Sequence, residues 1–365
     1  MSTVNNGPQI VRSGLILDLD ASSVTSYSAI AVYSVQCYST YNGGLRSANY
    51  TVQYSDDNST WTTAFTGVMS NNSSCGIIIG TNRNDSNYSK HRYWRYVEGG
   101  AVVGHHPRVS RIDFITKNGA VYNLITYTTD NCADSGTYIV GTANKDFGGT
   151  TWRDISGGGY NGTLTSGPLF NTSNNGSIVF DGSTQFSTFT PTPTILQGNP
   201  NLTVIGFYKR TASFSGKGFW GIGGSNAGGT RQGICNWNYG NTNEITIDSW
   251  GESTFTTGQT YPLNTWIGVA WRKIAGPTTR ANCIISIFDG TNITHYTSTA
   301  LTVLRAESAT NLNINSIGGI TLGSISVDTG YCSPVNIASH CIYNRILTDA
   351  EILLNFQATK TRFGL

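Results

Sequence analysis

Charged residues are scarce in this chain of 365 residues, at 12% of the total. The 22 Lys and Arg nearly cancel the 20 Asp and Glu and leave a net charge of +2. No cluster of Lys or Arg is interleaved with aromatic residues, so a nucleic-acid partner is not expected. Long apolar runs are also missing. No segment approaches the ~20 residues of a membrane span, and none is predicted.

Cysteine spacing gives no metal or disulfide pattern. The seven cysteines are an odd number, and none forms a C-x-x-C pair. This disfavours a zinc knuckle and a fully paired disulfide framework, and it predicts mostly reduced, buried thiols. The opening MSTVNNGPQIV has neither the basic nor the apolar region of an export signal, so we expect none.

Glycine and small polar residues are abundant instead. The 43 glycines, with many Asn, Ser and Thr, separate short runs of alternating apolar residues. This composition is typical of β-rich exterior proteins with many turns. The length is sufficient for two domains that each bury a core. The sequence therefore predicts an all-β chain of two domains.

Two separated segments resemble adjoining parts of one β-sandwich family. GLILDLDASSVTSY (14–27) and GGTTWRDISGGGYNGTLTSGPLF (148–170) are similar to neighbouring motifs of laminin-G/concanavalin-like domains in phage and microbial surface proteins. Later runs agree in order, among them GSIVFDGSTQF (176–186), NLTVIGFYKR (201–210) and NTWIGVAWRK (264–273). The resemblance implies a concanavalin-like β-sandwich, a jelly roll, formed by residues 1–27 and 148–365 and interrupted after its first strand.

The interrupting segment, residues 28–147, resembles a second family. YTVQYSDDNSTWTTAFTG, HRYWRYVE and SRIDFITKNG are similar to strands of the discoidin family, also called coagulation-factor type C. The resemblance implies an inserted discoidin-like β-sandwich, and the Asp-rich turn in the first run should let Trp61 pack inward. Because successive residues of a strand alternate between its faces, Trp94 and Tyr96 are predicted on one face and Arg95 on the other. The predicted strand-like runs are 29–38, 50–55, 75–79, 93–98, 109–116 and 120–127.

The C-terminal segment HCIYNRILTDAEILLNFQATKTRFGL resembles the ending of the laminin-G-like family and predicts one short helix. Thr348 and Glu351 have the Thr-x-x-Glu spacing of a capping box, which places the helix near residues 349–357. The apolar residues expected to hold the helix against the sandwich are Ile352, Leu353, Leu354 and Phe356.

Acidic residues give little support for catalysis. Glu244 and Asp248 are four residues apart on a predicted strand, about 13 Å at ~3.3 Å per residue, too far for the paired carboxylates of a glycosidase unless the side chains lean together. We expect two solvated strand residues there and predict no catalytic residue. Related sandwich domains often carry an acidic pair before the helix. Ala338 and Ser339 stand there in this chain, so no metal role is transferred.

Candidate metal ligands are also few. His105 and His106 are adjacent and lack acidic or thiol partners at ligand spacing, so a zinc site is not expected. Asp154, Asp181 and Asp289 lie in glycine-rich turns. There they either bind calcium or accept hydrogen bonds from the turn amides, and the sequence leaves both interpretations open. No other cofactor is predicted.

Aromatic and amide side chains are better suited to binding sugars. Aromatic rings stack on the C–H faces of sugars, and planar amides bond their hydroxyls. Two runs, CNWNYGNTN and YSTYNGGLRSANY, combine these groups. An alternative places Trp237 in a core hairpin instead. The candidate ligand-binding residues are Trp237, Asn238, Tyr239, Asn241, Trp250, Tyr41, Asn42 and Arg46.

The exterior composition, the odd cysteine count and the missing export signal fit a virion protein, which assembles in the host cytoplasm and is released by lysis. With the resemblance to phage modules, they favour a virion structural protein of the tail, baseplate or capsid surface. Its expected partners are other virion proteins and host-surface glycans. Exposed β edges favour a homo-oligomer, with a trimer as the first hypothesis. A soluble glycan-binding lectin or adhesin is the alternative, and a polysaccharide-degrading enzyme is the third.

Overall fold

Alternating apolar runs form antiparallel strands throughout the computed structural model of the chain. The structure describes residues 9–23, 32–38, 48–55, 60–69, 77–81, 91, 93–101, 111–116, 121–126, 143–146, 150–171, 173–189, 193–224, 232–236, 243–249, 253–305, 320–325, 329–363 and 365. The chain divides into two units. Unit 1 comprises Met1–Tyr27 and Thr150–Leu365, and unit 2 comprises Ser28–Gly149.

The described residues form 25 strands and one α-helix, which confirms the predicted all-β class with a single C-terminal helix. None of the described helices is long and apolar enough to cross a membrane. In chain order the elements are β1 (Leu15–Asp20), β2 (Ser34–Tyr38), β3 (Ala48–Ser55), β4 (Thr62–Met69), β5 (Ile77–Thr81), β6 (Tyr93–Ala101), β7 (Arg111–Ile115), β8 (Val121–Thr126), β9 (Ala143–Asp146), β10 (Thr151–Trp152), β11 (Gly162–Thr165), β12 (Leu169–Asn171), β13 (Ser177–Asp181), β14 (Phe186–Phe189), β15 (Leu202–Arg210), β16 (Trp220–Gly224), β17 (Gln232–Asn236), β18 (Glu244–Ser249), β19 (Ser253–Thr260), β20 (Trp266–Lys273), β21 (Cys283–Phe288), β22 (Ile293–Tyr296), β23 (Thr302–Arg305), β24 (Ile320–Leu322), β25 (Pro334–Tyr343) and α1 (Asp349–Lys360).

Unit 1 is a sandwich of two sheets. The eight-stranded sheet has the order β12-β13-β25-β15-β20-β21-β22, and β1 also pairs with β25. The nine-stranded sheet has the order β10-β11-β14-β24-β16-β17-β18-β19-β23. Among the described strands, β1 pairs only with β25. The two are antiparallel, with Asp18 opposite Cys341 and Asp20 opposite Ser339.

Aromatic side chains fill the space between these two sheets. Trp271 of β20 meets Trp220 of β16 edge to face, with ring centroids 5.2 Å apart. The Trp271 indole N–H also donates to the Thr246 carbonyl of β18 at 2.9 Å, so a hydrogen bond crosses the core. Beside it, the Tyr208 hydroxyl lies 2.7 Å from Nδ1 of His340. Burial lowers the pKa of His340 to about 3, so this imidazole stays neutral.

The opposite face of the eight-stranded sheet carries the C-terminal helix. Phe356 of α1 stacks on Phe288 with ring centroids 5.2 Å apart, and it meets Phe207 at 5.6 Å. A Cβ at Gly268 would lie 2.8 Å from the Phe356 ring, so glycine at this position on β20 lets the helix approach closely. The helix is thus anchored by aromatic packing onto the sheet.

The predicted capping box is present at the start of α1. The Thr348 hydroxyl accepts from the Glu351 amide, and the Glu351 carboxylate accepts from the Thr348 amide. Arg345 adds a bidentate contact to Glu351, at 2.9 and 2.6 Å. The predicted packing of Leu353 and Leu354 is wrong, because these side chains are 40% and 37% exposed. A helix buries one stripe, and Ile352 and Phe356 occupy it.

Unit 2 contains two four-stranded sheets, with the orders β5-β2-β7-β8 and β4-β3-β6-β9. Its six predicted strand-like runs overlap β2, β3, β5, β6, β7 and β8. Trp94 and Tyr96 are buried in the core with Val52 and Phe114, as alternation predicted. The described residues of unit 2 thus contribute a core separate from that of unit 1.

The inward packing predicted for Trp61 is wrong. Its side chain is only half-buried, and the Arg95 guanidinium lies 4.1 Å from its ring centroid. The physical reason is that Trp61 precedes β4, which begins at Thr62. The residue that this end of the strand buries is Ala64.

The cysteines that the structure describes with their side chains are free and buried, as predicted. They are Cys37, Cys283, Cys332 and Cys341. Cys75 and Cys132 lie outside the described residues. Burial raises the pKa of the Cys341 thiol well above its usual value, so this thiol is unreactive at neutral pH.

We expect unit 1 to fold without unit 2. The chain that resumes at residue 150 hydrogen-bonds back to β1, because the Ile155 amide donates to Asp18 O at 2.9 Å and the Ser156 hydroxyl to Ile16 O at 2.9 Å. Replacing Ser28–Gly149 with a short Gly-Ser linker should leave cooperative thermal unfolding by circular dichroism. A soluble product without a cooperative transition would contradict this expectation.

The capping box should stabilise α1 in a pH-dependent way. The hydrogen bond from Arg345, followed by that from the Thr348 amide, lowers the Glu351 pKa from 4.5 to about 2. The folded pKa is depressed, so this stability is complete above pH 4.5 and is lost as the pH falls towards 2. We expect Thr348→Ala to cost about 1 kcal/mol at pH 7. Urea unfolding at pH 7 and 3 should show that Glu351→Gln loses less stability on acidification than the parent. Gln357→Ala, at an exposed position of the helix outside the capping box, is the control.

Candidate functional site

The sequence-predicted sugar-binding residues all lie outside the described residues and stay predictions. They are Trp237, Asn238, Tyr239, Asn241, Trp250, Tyr41, Asn42 and Arg46. His105 and His106 lie outside them as well.

The expectation that Glu244 and Asp248 are solvated is wrong for Asp248. Asp248 is completely buried and accepts a hydrogen bond from the Thr254 hydroxyl. Its strand lies inside the nine-stranded sheet, between β17 and β19, and every residue from Ile245 to Ser249 is buried. The pairing with β19 also shifts register between Glu244 and Thr246. Simple alternation therefore does not place the two carboxylates side by side.

The turn aspartates are occupied by hydrogen bonds from their own loops. Asp181 Oδ1 accepts from the amides of Ser183, Thr184 and Gln185 at 2.8–3.1 Å. Burial would raise its pKa, but these bonds together with the Ser183 hydroxyl lower it to about 2. Asp181 therefore organises its turn as an ionised acceptor.

Asp154 and Asp289 also accept hydrogen bonds from backbone amides, one of which, to Asp154, comes from β1. Asp154 accepts from the amides of Asp18 and Ser156, at 3.0 and 2.8 Å. Asp289 accepts from the amides of Asn292 and Thr291, and these bonds lower its pKa. No group of three His, Cys, Asp or Glu side chains suited to a metal ion occurs among the described residues. Of the two interpretations of these aspartates, the geometry favours turn capping.

A cleft of about 570 Å³ lies in unit 1 where α1 meets the eight-stranded sheet, and we term it the helix cleft. Residues from β1, β15 and β25 line it together with the start of the described chain and the second half of α1. The lining residues are Gln9, Ile10, Arg12, Asp18, Asp20, Ile155, Ile205, Gly206, Phe207, Ser339, Cys341, Asn355, Phe356, Gln357, Ala358, Thr359, Thr361 and Arg362.

Strand register determines the floor of the helix cleft. One row of opposed residues runs from Asp20 on β1 through Ser339 on β25 to Phe207 on β15. Opposed residues in a sheet share a face, so their side chains project together. The next such row begins with Asp18 and Cys341. The floor is consequently acidic at β1 and aromatic at β15.

Asp18 is the most enclosed charge in the helix cleft. Arg12 Nη1 lies 3.0 Å from its Oδ2, with side chains 58% and 4% exposed respectively. The Cys341 thiol donates to its Oδ1 at 3.4 Å. Burial raises the pKa of Asp18, whereas the Arg12 charge opposes that rise. Asp18 therefore serves chiefly to hold Arg12 at the edge of the cleft.

Arg362 forms a second ion pair beside Asp18. Its Nη1 donates to Asp20 Oδ1 at 2.7 Å, and its Nη2 donates to Gly176 O at 3.0 Å. Its Nε donates to Asn174 O at 3.2 Å. All three guanidinium nitrogens are thus engaged. Asp20 Oδ2, by contrast, has no hydrogen bond with any described residue.

Asn355 fixes the wall formed by the helix. Its Oδ1 accepts from the Val11 amide at 2.7 Å, and its Nδ2 donates to the Tyr343 hydroxyl at 3.1 Å. That hydroxyl in turn donates to Val11 O at 3.0 Å. This closed set of bonds ties the segment before β1 to the helix and makes the cleft a preformed site.

The helix cleft offers polar groups that the surrounding protein does not use. Among the described residues, no hydrogen bond occupies the Ser339 hydroxyl, Asp20 Oδ2 or Nη2 of Arg12. These atoms provide a hydroxyl, an acceptor and a donor in one cleft, whose lining also includes Phe207. The two guanidinium groups are balanced by two carboxylates. Such a site fits an uncharged ligand with several hydroxyl groups.

The pairing of Asp18 and Asp20 was not predicted from the sequence, where the only acids weighed as a pair were Glu244 and Asp248. The signal was present in GLILDLDA, because residues two apart on a strand share a face. Their spacing of ~6.6 Å along the strand is close to the ~6.5–9.5 Å between carboxyl groups of inverting glycosidases. The Asp18 side chain is 4% exposed, however, and a general acid must reach the leaving oxygen.

Comparison with known proteins gives a distant likeness only. No protein-family model and no curated protein matches the chain. Among solved structures, domain 4 of the GH43 arabinanase AbnA from Geobacillus stearothermophilus, in complex with arabinotriose, is 12% identical. The match covers 56% of this chain and 91% of that chain with a TM-score of 0.40.

Two larger enzymes give similar values. Trypanosoma rangeli sialidase is 12% identical, with 84% of this chain and 66% of that chain covered and a TM-score of 0.39. A GH54 arabinofuranosidase is 10% identical, with 92% and 63% covered and a TM-score of 0.43. The chain thus spans less than two thirds of either enzyme. Likeness at this level assigns no family.

We expect calcium to leave the described turns unchanged. The Asp154, Asp181 and Asp289 carboxylates already accept turn hydrogen bonds, which a calcium ion would have to replace. Thermal unfolding of the intact protein should therefore have the same midpoint in millimolar CaCl₂ and in EDTA, with MgCl₂ as the control. A calcium-specific rise in the midpoint that disappears in Asp181→Asn would contradict turn capping as the role of these aspartates.

Proposed function

We propose that the protein is a carbohydrate-binding β-sandwich protein without catalytic activity, and that the helix cleft is a sugar-binding site. The observation that carries the proposal is the set of unused polar groups, Ser339 Oγ, Asp20 Oδ2 and Arg12 Nη2, arranged around a preformed floor. The cleft volume lies within the ~300–1,000 Å³ range of small-molecule sites. Its balanced charges favour neutral sugars over ions.

Hydrolysis is a weaker interpretation of the same cleft. Both carboxylates are held by guanidinium groups, at 3.0 Å for Asp18 and 2.7 Å for Asp20. A general acid must keep its proton at the working pH, and it must also lie within reach of the substrate. Asp18 is enclosed, and Asp20 is paired with Arg362. This arrangement supports recognition of hydroxyl groups rather than proton transfer to a glycosidic oxygen.

Binding by intact protein tests the proposal. We expect a neutral glycan identified on a glycan array to bind in isothermal titration calorimetry, with at least a tenfold weaker affinity for Ser339→Val. This substitution replaces the hydroxyl with methyl groups, which cannot hydrogen-bond the sugar and which take up space at the floor of the cleft. Thr294→Val, at the exposed position of strand β22, is the matched control and should bind normally. Equal affinity for Ser339→Val and the parent would contradict the helix cleft as the site.

Two further measurements separate the alternatives. Loss of glycan binding in Trp237→Ala, with Ser339→Val unaffected, would move the site to the predicted aromatic loop. Release of reducing ends from a polysaccharide, abolished by Asp20→Asn in a variant that still folds, would overturn the proposal that the protein is not catalytic.

The second candidate function is structural: a phage virion component on the tail, baseplate or capsid surface, with host-surface glycans as ligands. It is supported by the exterior composition and by the sequence resemblance to laminin-G/concanavalin-like and discoidin-like modules. In this setting the protein would be a homo-oligomer on the outer surface of the particle, in contact with other virion proteins. Mass spectrometry of purified particles tests it, and absence of the chain from them contradicts it.

A further inference from the structure

Unit 2 carries a row of linked side chains on the sheet β4-β3-β6-β9. Gln53 of β3 lies opposite Thr63 of β4 on one side and Arg95 of β6 on the other. Arg95 Nε donates to Gln53 Oε1 at 2.7 Å, and Gln53 Nε2 donates to Thr63 Oγ1 at 3.2 Å. The three side chains therefore form one continuous chain of hydrogen bonds across three strands.

Trp61 fixes the guanidinium from a second direction. The Arg95 guanidinium carbon lies 4.1 Å from the Trp61 ring centroid, the geometry of a cation–π contact. An arginine side chain loses rotamer entropy when a ligand orders it. Here the indole and Gln53 have already ordered it, so much of that cost is met before any ligand arrives.

The row lies on the face of β6 that points away from the core of unit 2. Trp94 and Tyr96 are buried, whereas Tyr93, Arg95 and Val97 between and beside them are half-buried. Successive residues of a strand alternate between faces, so Tyr93 and Arg95 share the accessible one. The face thus combines two aromatic side chains, from Trp61 and Tyr93, with one oriented cation.

The two terminal nitrogens of Arg95 are the unused part of this arrangement. Neither hydrogen-bonds to any residue whose side chain the structure describes, and no carboxylate among those side chains pairs with the guanidinium. Arg111 in the same unit differs, because Asp113 accepts from its Nε at 2.9 Å and lies 2.6 Å from its Nη2. Partial burial lowers the Arg95 pKa from its usual value, which reflects desolvation of a group that stays cationic. An anion at the terminal nitrogens would offset that desolvation.

We propose that the Trp61–Gln53–Arg95 row is a binding site for the carboxylate of an acidic saccharide, with Arg95 as the contacting residue and Trp61 and Gln53 as positioning residues. A guanidinium fork matches the two oxygens of a carboxylate. The adjacent aromatic rings match the C–H face of the sugar that bears it. The site goes beyond the sugar-binding role of the helix cleft and does not depend on it, because every residue it uses belongs to unit 2.

Titration of the intact protein with trigalacturonic acid tests the site, followed by calorimetry or by NMR shifts of indole N–H signals. We expect saturable binding that weakens at least tenfold when the carboxylates are methyl-esterified. Arg95→Lys keeps the charge but removes the fork and should weaken binding at least tenfold. Gln53→Met leaves Arg95 in place but releases its Nε, and it should weaken binding several-fold. N-acetylneuraminic acid, tested in parallel, distinguishes a sialic acid from a uronic acid as the source of the carboxylate.

Control variants distinguish this site from the helix cleft and from a general attraction of anions to arginine. Arg111→Lys should bind the acid normally, because that arginine is already paired, and Ser339→Val in the helix cleft should do so as well. Each variant is first compared with the parent by thermal unfolding, and the Gln53→Met result decides if Arg95→Lys fails to fold. The proposal is overturned if neither acid binds at millimolar concentration, if the methyl ester binds equally well, or if inorganic phosphate displaces the saccharide at equal concentration.

Discussion

Strand β25 is buried on both faces, and the rest of unit 1 depends on this constraint. The side chain of His340 points into the aromatic core between the sheets, whereas those of its neighbours Ser339 and Cys341 face the helix. Pairing with β1, β13 and β15 fixes the register of all four strands. A slip by one residue would exchange the core and cleft sides at once. The same alternation therefore specifies both the sandwich and the floor of its cleft.

The acidic residues of the helix cleft illustrate how register creates a site. Asp20 on β1 lies directly opposite Ser339 on β25, and Asp18 lies opposite Cys341. Two carboxylates thus face the same region from the neighbouring strand. Burying them is costly unless they are paired, and Arg12 and Arg362 supply the pairing. The cleft is polar because its charges neutralise one another.

Local patterns predicted much of the fold but little of the site. Strand-like runs located six of the eight described strands of unit 2, and the Thr348 and Glu351 spacing located the helix start, since both signals act over a few residues. Asp248 was misjudged because solvent exposure depends on which sheets cover a strand. The helix cleft could not be foreseen, since it requires the pairing of β1 with β25 across more than 300 residues of sequence. The predicted aromatic loops lie outside the described residues and stay predictions.

The two proposed sites differ in electrostatics, and that difference has a consequence for selectivity. In the helix cleft each guanidinium faces a carboxylate, so a charged ligand would meet one like charge for each opposite one. In unit 2 the Arg95 guanidinium is oriented by neutral partners, Gln53 and Trp61, and its attraction for anions is not cancelled by a described residue. Neutral sugars would therefore bind to the helix cleft of unit 1, and sugars with a carboxylate would bind to unit 2. A polysaccharide that contains both kinds of sugar would bind tightly despite weak affinity at each site, provided that one polysaccharide molecule occupies the two sites together.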